Sequence, residues 1–99
     1  MNVKKTVSGG RMELVVEGKL DTVSSPKFEA EVLEQLDGIF DLTIDMSRLD
    51  YISSAGLRAL LSIQQTLEET GGTMSVHSVP DIIREVFEIT DFDKIIPIV

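Results

Sequence analysis

Asp45-Met46-Ser47-Arg48-Leu49-Asp50-Tyr51-Ile52-Ser53-Ser54-Ala55-Gly56-Leu57-Arg58 is the stretch that organises this chain. An alternating apolar and polar run, Ile39 to Asp45, leads into it and reads as a strand ending at Asp45. A short link, Met46 to Asp50, carries the chain to Tyr51 and Ile52. Beyond them Leu57, Leu60, Leu61 and Leu67 give a buried stripe, which predicts a helix from about Ser54 to Thr70, ended by Gly71-Gly72. Strand, turn and helix in this order form the heart of a βαβ unit.

The pattern continues on both sides. Met1 to Ser8 reads as a weak strand, Gly9-Gly10 as a hairpin turn and Met12 to Glu17 as a second strand. Gly18-Lys19-Leu20-Asp21 follows as a loop. Ser25-Pro26 opens a helix, with Ser at the N-cap and Pro at the first helical position. Phe28, Val32, Leu33 and Leu36 share its inner face, and Gly38 stops it. On the far side, Thr73 to Ser78 is a strand. Pro80 then opens a third helix carrying Ile82, Ile83, Val86 and Phe87, and Ile95 to Val99 is a last short strand. The order β-β-α-β-α-β-α-β predicts an α/β fold. It should have a single mixed sheet, right-handed crossovers, helices packed mainly on one face, and one domain over residues 1–99.

Composition narrows the function. With 99 residues and a hydrophobic fraction of 42%, the chain can bury one small core. No apolar run approaches the roughly 20 residues that span a bilayer, so no membrane insertion is expected. Met1-Asn2-Val3-Lys4-Lys5 lacks the apolar segment of a signal peptide, so the expected location is cytoplasmic. There is no cysteine and a single histidine, His77, which removes thiolate chemistry and most zinc schemes. Seventeen acidic residues against nine basic ones give a net charge of −8. Nucleic acid is therefore not an expected partner, because phosphate contacts need clustered Lys and Arg. A basic protein surface is the better complement.

The quoted stretch carries the chemistry. Two hydroxyls, Ser53 and Ser54, sit where a helix exposes unpaired N–H groups, a place that favours negative charge and can receive a phosphate. Plain helix capping is the commoner reason for a serine there. No Glu or Gln stands three residues after either one, so there is no capping box. Gly56 in the first turn costs helix stability, which points to close approach of a partner or of another element.

Other constellations are weaker. His77 has no acidic or His cluster beside it and reads as structural. Asp45 at a strand end lacks the acidic pair that a phospho-accepting aspartate needs. Asp21, Asp45 and Asp50 could gather as a magnesium site, although acidic turn residues are usually solvated or capping. Ile52 stands where a hydrolase elbow would have its first glycine, and no phosphate-binding Gly-x-x-x-x-Gly-Lys loop occurs.

The segment resembles the signature of anti-sigma-factor antagonists, the bacterial branch of the STAS fold. Asp45-Met46-Ser47, Tyr51-Ile52, and Ser54 two residues before Gly56-Leu57 match that signature. Gly18-Lys19-Leu20-Asp21 is similar to the family's Gly-x-Leu-Asp loop. Gly71-Gly72 and the run from Phe87 to Ile95 are similar to its later turn and its closing helix and strand. Two positions depart: Ser53 stands where many members have Asp, and Ala55 where many have Ser or Thr.

The resemblance implies a phosphoacceptor at Ser54, with Ser53 as its rival, and places Asp21 near that serine. It implies a binding face of Asp21, Ser53, Ser54, Ala55, Gly56, Leu57 and Arg58, with Leu61 beside it. The implied partners are an anti-sigma factor that is also a serine kinase, which itself holds ATP and magnesium, and a PP2C-type phosphatase. No cofactor or metal of the chain's own, and no enzyme activity, is implied. The alternative is the same fold in another assembly, such as a lipid-transport accessory subunit or a stress-signalling scaffold.

Overall fold

A computed structural model describes Met1–Val99. The elements run β1 (Asn2–Ser8), β2 (Arg11–Leu20), α1 (Ser24–Leu33), β3 (Asp41–Ile52), α2 (Ser54–Glu69), β4 (Thr73–His77) and α3 (Asp81–Ile89), followed by a single 3₁₀ turn over Phe92–Lys94. One sheet holds the four strands in the order β1-β2-β3-β4. β1 is antiparallel to β2, whereas β2, β3 and β4 are mutually parallel. The mixed sheet read from the sequence is thus present.

Alternation sets the two faces of the sheet. Met12, Leu14 and Val16 of β2, Leu42, Ile44 and Met46 of β3, and Met74 and Val76 of β4 are all buried. They meet Phe28 and Val32 of α1, Leu57, Leu60, Ile63 and Leu67 of α2, and Ile83 and Phe87 of α3 in one hydrophobic cluster. The opposite face is polar and carries two ion pairs, Arg48–Glu17 at 3.3 Å and Arg11–Asp41 at 3.8 Å, and a His77 Nε2 to Glu13 contact at 3.8 Å.

Five features differ from the sequence expectation, the first being that Gly18-Lys19-Leu20, read as a loop, is the end of β2. β3 does not end at Asp45 but runs on to Ile52. Its pairing with β2 shifts register twice, between Val15 and Glu17 and between Gly18 and Lys19. Each bulge adds a residue to β3, so its inward positions become Met46, Leu49 and Ile52. α1 begins at Ser24, not after a Ser25 cap, and ends at Leu33, so Gly38 serves a later turn. In α2, Leu61 is only half-buried, while Ala59, Ile63 and Gln64 are buried; in α3, Ile82 is exposed. The closing strand shrinks to one parallel bridge, Ile98 to Val76. Gln64 holds the preceding turn by donating to the Ile95 carbonyl at 2.6 Å.

Candidate functional site

Because β2, β3 and β4 are parallel, their carboxyl ends share one edge of the sheet. Loops at that edge are where open α/β sheets place their ligands. The loop after β2 carries Asp21, the junction after β3 carries Ser53 and Ser54, and Ser78 to Pro80 follow β4.

Ser53 is the N-cap of α2, in extended backbone. Its N–H donates to the Leu20 carbonyl at 2.9 Å, and its hydroxyl donates to the same oxygen at 3.3 Å. The hydroxyl also accepts from the Gly56 N–H at 3.3 Å. Gly56 is buried against the same residue. A Cβ there would lie 2.8 Å from the Leu20 carbonyl oxygen and 2.8 Å from Cγ1 of Ile52. The approach that demands glycine is therefore internal, between α2 and the end of β2.

Ser54 is the first helical residue and differs in every respect. It is exposed, and its hydroxyl makes no hydrogen bond to the protein. The N–H groups of Ser54 and Ala55 likewise find no acceptor in the chain, as the first turn of a helix allows. No acidic side chain lies in that turn.

Asp21 is committed elsewhere. Its Oδ1 accepts from the N–H of Val23 at 3.0 Å, the N–H of Ser24 at 2.9 Å and the Ser24 hydroxyl at 3.1 Å. The Ser24 bonds, backbone first and then hydroxyl, hold its carboxyl below the usual aspartate range. It caps α1 and forms no bond to Ser54.

Asp45 points to the polar sheet face and accepts from the Ser47 N–H at 2.8 Å, the chief cause of its lowered pKa. Asp21, Asp45 and Asp50 are not brought together, and no three His, Asp or Glu side chains converge in a way that could hold a metal ion. His77 lies on the polar face, its Nδ1 3.1 Å from the Ser78 hydroxyl.

The expected binding face needs one correction. Leu57 is 3% exposed and belongs to the core, and Gly56 is sealed, so neither offers a side chain to a visitor. Asp21, Ser53 and Ala55 are half-exposed, while Ser54 and Arg58 are exposed. Sequence reasoning missed Val23, which is 85% exposed beside Asp21. A valine in a polar loop was the available signal.

Comparison with known proteins agrees with this fold. The family model described as STAS domain matches residues 2–99. BtrV of Bordetella bronchiseptica, a candidate anti-sigma factor antagonist, is 36% identical over 90 residues, covering 90% of this chain and 78% of BtrV. The anti-sigma-B factor antagonist of Staphylococcus aureus is 29% identical over 92 residues, covering 91% of this chain and 84% of the relative. Among solved structures, the anti-sigma factor antagonist SpoIIAA of Bacillus is similar in both its forms at 16% identity. The unphosphorylated form gives a TM-score of 0.86, covering 99% of this chain and 88% of SpoIIAA. The phosphorylated form gives 0.76, covering 99% and 91%.

Proposed function

The chain belongs to the STAS-domain family of anti-sigma factor antagonists, and from that premise we propose that residues 1–99 act as a single-domain partner switch controlled at Ser54. In its unmodified form the domain binds a cytoplasmic anti-sigma factor that is also a serine kinase, and so frees the sigma factor. The kinase holds ATP and magnesium. Transfer forms a bond between Ser54 Oγ and the γ-phosphorus and breaks the bond from that phosphorus to the bridging oxygen. ADP leaves, and the hydroxyl proton passes to the kinase. A PP2C-type phosphatase hydrolyses the ester and resets the cycle. The domain is a regulator, not an enzyme.

The observation that carries this reading is the division of labour between adjacent serines. Ser53 is engaged by Leu20 and Gly56, whereas Ser54 is exposed with a free hydroxyl on the first residue of α2. SpoIIAA, a protein of the same fold, exists in unphosphorylated and phosphorylated forms. A phosphate adds a charge of about −1.5 to −2. A thousandfold loss of affinity needs only about 4 kcal/mol, which bulk and charge in the middle of an interface can supply. The contact surface would comprise Asp21, Val23, Ser53, Ser54, Ala55 and Arg58.

The test is incubation with the cognate kinase and ATP. One phosphate on Ser54 is expected by mass spectrometry, and Ser54→Ala should stay unmodified yet still bind the kinase. Phosphate on any other residue, Ser53 included, would overturn the assignment. A pull-down that recovers a transporter ATPase in place of a kinase would overturn the pathway.

A further inference from the structure

Arg58 lies one helical turn after Ser54, and both residues are exposed on α2. Residues four apart on a helix are neighbours, about 5–6 Å between Cβ atoms. Arg58 takes part in no ion pair and no side-chain hydrogen bond, unlike Arg11 and Arg48, which both have carboxylate partners. It borders a groove between the starts of α1 and α2, lined also by Ser25, Pro26, Glu29 and Ala55. Ser25 is 1% exposed, and its hydroxyl has no hydrogen-bond partner. Glu29, the acid in that groove, accepts from the Ser62 hydroxyl at 3.0 Å. The start of α2 therefore collects an unpaired guanidinium one turn from Ser54 and two unspent N–H donors, and an unspent Ser25 hydroxyl shares the groove that Arg58 borders.

We propose that Arg58 is the internal receptor for a phosphate on Ser54, closing an ion pair along α2 in the modified protein. The proposal rests on the reading that Ser54 is the residue modified. A guanidinium offers a planar fork of donors that matches phosphate oxygens. Modification then does two things at once. It adds a dianion to the contact surface, and it withdraws from that surface the one arginine that an unmodified domain presents to an acidic group of its partner.

The experiment uses the full chain with phosphoserine installed at position 54 by genetic encoding, which needs no kinase. Phosphorus NMR follows the second ionisation of the phosphate in the parent protein and in Arg58→Gln. Asp21, Glu29 and the helix terminus act equally in both, so the difference isolates the arginine. With Arg58 present the phosphate should titrate roughly half a pH unit lower, since an adjacent cation favours the dianion. The gap should narrow in about 1 M salt. Arg58→Lys should recover part of it. Coincident titrations of the parent and Arg58→Gln would overturn the proposal. A kinase that modifies another residue would instead sink the underlying reading and leave this titration intact.

Discussion

Two helices start side by side at the same edge of the sheet, α1 on a carboxylate and α2 on a hydroxyl. At α1, Asp21 gathers two backbone N–H groups, and the Ser24 hydroxyl shares its one proton between Asp21 Oδ1 at 3.1 Å and the Lys19 carbonyl at 2.7 Å. The positive end of that helix is neutralised from within. α3 carries Asp81 in its first turn. α2 alone among the three has no acid at its start, and two of its N–H groups stay free. The contrast separates structure from function. A helix terminus filled by its own chain holds the fold together, and one left electrostatically open can take a charge from outside.

Substitutions at the two starts can break or sharpen this comparison. The largest effect is expected from Gly56→Ala, whose Cβ would press on the Leu20 carbonyl. It should lose roughly 1–3 kcal/mol in urea unfolding, the cost of overpacking less the gain in helix propensity. Unchanged stability would mean that α2 is less tightly seated on β2 than it looks.

Asp21→Ala comes next. Loss of a helix cap in a domain of this size lowers Tm by roughly 4–8 °C. The loss should depend on pH. The folded pKa of Asp21 is depressed below 3.8, so its stabilisation is complete above that value and disappears as pH falls through the folded pKa. The gap in Tm between parent and variant should therefore start to close as the pH drops below about 3.8, the ordinary aspartate value, and vanish only beneath the folded pKa. A gap that persists into acid would show that Asp21 acts through packing and not through charge.

Ser53→Ala removes a cap with two long 3.3 Å bonds, so a loss of about 0.5–1 kcal/mol is expected, with phosphate acceptance at Ser54 retained. The smallest effect has the opposite sign. Ser54→Asp puts a carboxylate on the open terminus one turn from Arg58 and should gain about 0.3–1 kcal/mol at low salt. A loss there would contradict the idea of a terminus poised for negative charge.

The order of elements was legible because each has its own period and is punctuated by Gly or Pro. What stayed hidden had physical reasons. The bulges in β3 change the inward spacing from two residues to three, so Leu49 and Ile52 no longer read as strand. The start of α1 was hidden because its cap, Asp21, stands outside the helix, while Pro26 sits inside the first turn, where no N–H is needed. Which of two neighbouring serines caps α2 depends on a single residue of register, and the Leu20 carbonyl on another strand decides it. The burial of Leu57 and Gly56 has the same origin, since a signature names residues without saying which way they face.

The bridge from Ile98 to β4 has a consequence for self-association. Ile98 bridges Val76, the Val76 N–H donates to the Pro97 carbonyl at 2.9 Å, and the Val99 N–H donates to the Val76 carbonyl at 2.9 Å. Those bonds occupy the outer rim of β4, where a second molecule could otherwise add a strand. The remaining open rim is β1, which carries Lys4 and Lys5. Lysines on an exposed rim discourage stacking of copies into a continuous sheet. One end of the sheet is covered at Val76 by the Ile98 bridge and the other carries lysines, so neither rim presents a long uncharged unpaired strand to a second copy.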